Sequence, residues 1–389
     1  MPIENGGGFV REGFEAAQAA FEINIAEGKE LGASFCATIA GETVVDLWGG
    51  WADPDKTRPW ERDTIACVYS TTKTMTALTA LLLADRGALD FAAPVARYWP
   101  EFAANGKAEI TVAQLMSHAS GLSGWRPPVR GEDFYDWEKV TSALAAQAPL
   151  WPPGTASGYH VYTYGFLIGE VVRRITGRTL GTVFRDEIAG PLGADFWIGL
   201  PASDDDRVAD LVPFELPASA AAAASQLSDI EKVSLLDTQI QIPWSKTREW
   251  RAAEIPAVNG HGNARSIAEI HTLLANGGLA KGKRLMREAG CRKALERQVS
   301  GPDLVMRGLE VSFGIGFAMP PSPILRLELP NPNALFWGGS GGSFVLIDLD
   351  ARATFAYAMN RMSPTTVGDE RSFRIIRAMR EALAPGRST

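Results

Sequence analysis

In Ser70-Thr71-Thr72-Lys73 a hydroxyl and an amine stand three residues apart. On one helical turn that spacing places both groups on the same face, so Lys73 can reach Ser70. The pair is a nucleophile beside a base, although a polar helix start looks the same, because Ser and Thr are favoured there. An acyl-transfer site needs more, namely donors for the oxyanion and a proton source for the leaving group. A lysine, with an ordinary pKa of about 10.4, serves as a base only when desolvated or placed beside another cation. A tyrosine complements it, since an adjacent ammonium and a helix N-terminus are expected to push a phenol toward phenolate. Tyr159, in the turn Pro153-Gly154-Thr155-Ala156-Ser157-Gly158-Tyr159, is the candidate.

The elements around these residues follow from pattern. A β-like run over 64–69 leads into Ser70, and a Leu/Ala/Met-rich helix follows over 71–86, stopped by Gly87. Upstream, Phe14, Ala17, Phe21 and Ile25 mark an amphipathic helix over 11–27, and runs 33–40 and 43–48 joined by Gly41-Glu42 read as a hairpin. Helices are expected over 110–122 (short), 137–147, 162–176, 179–189 and 264–274, the last capped at Asn263, with further helix to about 295. Beyond Phe313 come β-like runs at 313–318, 334–337, 343–349 and 354–359, then a closing helix over 372–383. Strands at both ends and helices between predict an α/β (α+β) fold. An antiparallel sheet flanked by helices would be built from 1–68 and 305–389, with a mainly helical domain, 69–304, inserted. Within that domain 203–256 is irregular, includes the low-complexity run Ala220–Ala224, and reads as a lid-like insertion or a surface excursion.

A second serine competes for the nucleophile's role. Gly338-Gly339-Ser340-Gly341-Gly342 matches the G-x-S-x-G elbow, which requires a strand-to-helix turn and a later histidine. Ser340 is instead followed by the strand-like Phe344-Val345-Leu346-Ile347, and all four histidines precede it. The glycine run therefore reads as a place of close backbone approach. His118, His160 and His261 are each better explained by structural hydrogen bonds than by catalysis. Trp125, Phe134, Tyr135, Trp151 and Trp250 are left undecided between cleft and core.

Four segments together resemble a known family. Ser70-Thr71-Thr72-Lys73, the Pro-Gly turn before Tyr159, Ser117-His118-Ala119-Ser120-Gly121-Leu122, and Phe336-Trp337-Gly338-Gly339-Ser340-Gly341-Gly342-Ser343 are similar, in order and approximate spacing, to the class C β-lactamase-like serine hydrolases. The narrower resemblance is to the family VIII carboxylesterases. It implies Ser70 as the acylated nucleophile, Lys73 as its partner, and Tyr159 as base in acylation and acid toward the leaving group. It also implies an oxyanion hole from the backbone N–H groups of Ser70 and Ser340, with Trp337, Gly338 and Gly339 binding substrate in the place of a Lys-Thr-Gly strand. Two departures stand out: Val161 lies where the β-lactamase motif has an asparagine, and Trp337 where a lysine would meet a substrate carboxylate. Both remove polar handles on an anionic substrate, which favours small neutral esters and leaves little β-lactam hydrolysis.

Composition narrows the classes. The 389 residues carry a net charge of −7, which argues against nucleic-acid binding. Three widely spaced cysteines suggest neither a disulfide framework nor a zinc cluster, and no metal or other cofactor is called for. No leader pattern or membrane-length apolar run is apparent, so a cytoplasmic enzyme is expected, with a small-molecule ester as its partner. Oligomeric state is not legible. An acyltransferase, D-amino-acid peptidase or β-lactamase on the same site, or an idle binding protein of the same fold, are the competing readings.

Overall fold

The structure is a computed structural model, and it describes residues 5–215, 224–237, 240–325, 327, 329 and 331–383. Six strands form one antiparallel sheet in the order Gly7–Val10, Glu42–Gly50, Gly32–Ile39, Ala353–Met359, Phe344–Asp348, Ala334–Gly338. The expected hairpin is present, and the two ends of the chain meet where Ala353 pairs with Ile39 and Met359 with Ala33. Both central strands are buried along nearly their whole length, as strands covered on two faces must be. Side chains alternate along a strand. Ser34 Oγ accepts from Ala264 N–H at 3.1 Å and Thr38 Oγ1 meets Thr272 Oγ1 at 2.7 Å, so one face carries the helix Ala264–Ala275. Ala33, Phe35 and Ala37 point the other way, toward the mutually packed helices Glu15–Ala26 and Glu370–Leu383. The Ala264–Ala275 helix thus packs on the sheet although it comes from the 69–304 span.

The helix Thr72–Asp85 is the centre of the remaining structure, buried from Thr72 to Leu83. It packs against the helices Thr163–Thr176 and Leu180–Phe184. Its entry is pinned by a small three-stranded sheet in which Ala66–Cys67 and Phe196–Trp197 flank His261–Gly262. Only two residues of the expected 64–69 run are strand. Two other expectations differ. The helix Ala264–Ala275 ends where expected, but the further helix to about 295 begins only at Glu288, because Gly277 and Gly278 adopt φ of +60° and +88° and a short hairpin precedes the helical turns Glu288–Arg292 and Lys293–Leu295. The 313–318 run is not one strand: Glu310–Phe313 ends in a turn closed by Gly314 N–H on Phe317 O, where a side chain on Gly316 would meet Ala77 Cβ at 2.3 Å.

In the irregular 203–256 stretch the described part holds short turns of helix at Ala202–Arg207, Asp229–Glu231, Ile242–Lys246 and Arg248–Ala252. Residues 220–223 of the alanine run, and 1–4 at the start, lie outside the described residues. Among the described residues no helix is long and apolar enough to cross a membrane. Trp125, Phe134, Trp151 and Trp250 are buried, and Trp125 packs edge-on against Phe134 and Phe166.

Candidate active site

Ser70 lies in the turn before the buried helix, preceded by Tyr69 at φ +42°, a conformation that costs energy in a non-glycine residue. The turn is held from below: Thr72 Oγ1 donates to Tyr69 O at 2.5 Å and accepts from Gly260 N–H at 2.8 Å. Ser70 is only 5% exposed. One turn on, Lys73 is buried, and its Nζ has three neighbours: Ser70 Oγ at 3.2 Å, Val161 O at 2.7 Å and Ala257 O at 3.0 Å. Burial holds the Lys73 pKa well below its ordinary value. The two carbonyls can only accept. A neutral amine therefore spends both N–H bonds on them and turns its lone pair to the Ser70 hydroxyl, which donates to it. An ammonium would instead donate a third N–H to Ser70 and offer no base. Val161 supplies no polar side chain, yet its backbone carbonyl is what orients the lysine.

Tyr159 lies across from this pair, with Lys73 Nζ 4.8 Å from its ring centroid. Its Oη accepts from Trp337 Nε1–H at 3.1 Å, and both rings are 2% exposed. The expected push toward phenolate is not what the site does. Desolvation raises the phenol's pKa and outweighs the lowering by the Ser70 and Trp337 hydrogen bonds. Burial thus favours the neutral form of Lys73 and Tyr159 alike.

Asp303 positions the tyrosine turn. Its buried carboxylate accepts from Ser157 Oγ at 2.8 Å, Tyr159 N–H at 3.1 Å, and the N–H groups of Val305 and Met306, both at 2.9 Å. Sequence reading missed it. Gly301-Pro302-Asp303 signals a local turn, but nothing in the sequence tells that the spare carboxylate lone pairs reach a segment 144 residues away. The histidines hold the same turn. His118 Nδ1 accepts from His160 N–H at 3.1 Å, while His160 Nδ1 donates to Gly158 O at 2.6 Å and its Nε2 accepts from Ser120 Oγ at 2.7 Å. Burial lowers the pKa of both, His160 to about 4, so they are neutral structural groups at pH 7.

The last component is the turn between Ala334–Gly338 and Phe344–Asp348. Ser340 lies between two strands, so the elbow context is absent. A side chain on Gly339 would come within 2.0 Å of Val68 O and 2.5 Å of Ser343 Oγ. Only a hydrogen there lets this turn lie against the chain leading into Ser70. Ser343 Oγ seals the contact, donating to Val68 O at 2.8 Å and meeting Thr71 Oγ1 at 2.9 Å. Among the described residues neither Ser70 N–H nor Ser340 N–H is matched to a backbone acceptor.

The beta-lactamase family matches this chain over residues 15–379. The chain belongs to the beta-lactamase family. It is 35% identical to the Esterase/beta-lactamase LipL of Mycobacterium tuberculosis (strain ATCC 25618 / H37Rv) over 367 residues, covering 92% of this chain and 83% of that protein. It is similar to the crystal structure of a family VIII carboxylesterase, with 42% identity, a TM-score of 0.91, and coverage of 97% of this chain and 99% of the other. A penicillin-binding protein homolog from Caulobacter crescentus is 40% identical with a TM-score of 0.89, over 97% of this chain and 99% of that one. Members of this family thus bear names with different activities, and the choice among them falls to the site.

Proposed function

We propose that this protein is a serine carboxylesterase that cleaves small neutral esters through an acyl-enzyme on Ser70. The observation that carries the reading is Lys73 Nζ, whose two carbonyl partners leave a lone pair for the Ser70 hydroxyl in a buried setting that favours the neutral amine. Ser70 Oγ attacks the ester carbonyl as its proton passes to Lys73 Nζ. The resulting oxyanion is held by the N–H groups of Ser70 and Ser340, a stabilisation worth on the order of 3 kcal/mol per donor. The C–O bond to the alcohol then breaks, and Tyr159 gives its phenolic proton to the departing alkoxide. The Lys73 ammonium returns a proton to the phenolate, and water repeats the sequence to release the acid.

Neutral esters are favoured because Trp337 stands where a β-lactamase-like lysine would meet a carboxylate, and its N–H is already spent on Tyr159. An anionic substrate would be desolvated here without a cationic partner from that strand. Weak or no turnover of β-lactams follows. Three free, buried cysteines support a cytoplasmic enzyme.

The test is hydrolysis of p-nitrophenyl acetate and butyrate by the wild type, Ser70→Ala and Ser340→Ala. Ser70→Ala should be inactive and Ser340→Ala close to wild type, with mass spectrometry of quenched enzyme placing the butyryl group on Ser70. Activity retained in Ser70→Ala would sink the reading. A chromogenic cephalosporin measures the β-lactam arm, and added alcohol acceptors separate hydrolysis from acyl transfer.

A further inference from the structure

The hydrogen bonds around Ser70 have fixed ends, and the ends fix a direction. Trp337 Nε1 carries a hydrogen and has no acceptor lone pair in the ring plane, so in its 3.1 Å contact with Tyr159 Oη the indole must donate. That occupies one phenolic lone pair and turns the Tyr159 O–H away from the indole, into the site where Lys73 Nζ lies 4.8 Å from the phenol ring centroid. At the far end Lys73, when neutral, can only accept from Ser70, because its two N–H bonds are taken by Val161 O and Ala257 O. On the Trp337 side the Tyr159 proton thus points away from the indole and into the site, and on the Lys73 side the Ser70 proton points to the amine. Nothing nearby frees the indole to turn: its ring centroid lies 5.0 Å from that of Tyr159, 5.4 Å from Phe313 and 6.4 Å from His118, and its strand is paired with Val345.

We propose that Trp337 is a positioning residue of the reaction, whose indole N–H orients the Tyr159 proton toward the ester and carries the phenolate formed when that proton leaves. This rests on the serine esterase reading above, and it gives Trp337 a role beyond lining the substrate pocket. Donation from Tyr159 to the alkoxide leaves a charge on Oη, a buried atom. The indole N–H is then a charge-assisted donor, strongest when the phenolate is present. The tryptophan therefore matters in proportion to how badly the leaving group needs a proton.

The leaving group is the readout. Ethyl butyrate and p-nitrophenyl butyrate give the same butyryl-enzyme but release alcohols of very different basicity, and only ethoxide requires protonation as it departs. Trp337→Phe keeps a ring and removes the donor. It should lower kcat/KM on ethyl butyrate roughly 10- to 100-fold more than on p-nitrophenyl butyrate. Equal losses on the two esters would overturn the proposal and leave Trp337 as packing. If Trp337→Phe does not fold, 3-benzothienylalanine incorporated at 337 matches the indole's shape without the N–H, and the same split is expected. Ser70→Ala measured on both esters keeps the two ideas apart: activity surviving there refutes the serine reading, whereas an inactive Ser70→Ala with an unsplit Trp337→Phe refutes only the role of Trp337.

Discussion

Replacing Gly339 by alanine tests the oxyanion geometry directly. The added Cβ would start 2.0 Å from Val68 O and 2.5 Å from Ser343 Oγ. A carbon and an oxygen do not rest closer than about 3 Å, so the turn and the 68–70 segment must part by about 1 Å. Neither side can yield alone. Val68 O already accepts from Ser343 Oγ at 2.8 Å and from Thr71 N–H at 3.2 Å, and Ser343 is tied to Thr71. The Ser340 and Ser70 N–H groups belong to the two halves being separated. A misplacement of about 1 Å typically costs about 100-fold in rate, and complete loss of one oxyanion donor costs about 3 kcal/mol, a similar factor. Gly339→Ala should therefore lower kcat on p-nitrophenyl butyrate about 100-fold while changing KM by less than about threefold. The overpacking should cost about 1–3 kcal/mol of stability, which thermal unfolding will register without abolishing the fold. A Gly339→Ala enzyme that unfolds cooperatively and keeps kcat within about threefold of wild type would refute the idea that this turn supplies a donor.

Protonating Lys73 closes its lone pair, so kcat/KM should fall as pH drops through a pKa well below the ordinary lysine value, and a flat acid limb would count against Lys73 as the base. Lys73→Arg, which stays charged, should lose roughly 100-fold or more in the same assay. Asp303→Ala strands the four donors its carboxylate now satisfies and should cost on the order of 3 kcal/mol in urea unfolding, with activity lost through the loosened Tyr159 turn. Asp303→Asn should be milder, and equal effects of the two would contradict the assignment. Glu30 is buried beside Arg371, and burial pushes its carboxyl up to about 8 from 4.5. The native state then holds a proton that the unfolded chain has released between those values, so this group's stabilisation is full below about pH 4.5 and is lost as pH rises toward 8. Glu30→Gln should flatten that slope in denaturant titrations, and an unchanged slope would argue against it. Cys36, Cys67 and Cys291 are all buried and free, so Ellman's reagent should find no reactive thiol in the native protein and three after unfolding.

Elements with strong local signals were readable in advance. The hairpin around Gly41, the helix after Ser70 and the Asn263 cap each rest on residues within a few positions of one another, and each is found close to where the pattern puts it. The helical stretch expected from Leu274 to about 295 is found only over 288–295, because Gly277-Gly278, with their left-handed backbone, first turn the chain into a hairpin. At the site, spacing brought Ser70 and Lys73 together, since the turn closed by Lys73 N–H on Ser70 O leads directly into the helix and fixes their geometry. The protonation balance was not readable. The push expected on Tyr159 assumed a charged Lys73, and only the closed packing of Val161, Ala257 and Trp337 around both groups shows that burial works the other way. Asp303 escaped for the same reason: its partners are gathered by tertiary structure, not by sequence neighbourhood.

The seal between Thr71 and Ser343 joins residues 272 positions apart in the chain. A ribosome adds about 5–20 residues per second, so the proposed nucleophile Ser70 precedes the proposed oxyanion turn by on the order of tens of seconds during synthesis. Throughout that interval the serine helix exists without the strand that completes it. On the esterase reading the site is therefore incomplete until the strands Ala334–Gly338 and Phe344–Asp348 have emerged and paired, and the nascent chain should show no ester hydrolysis before that point.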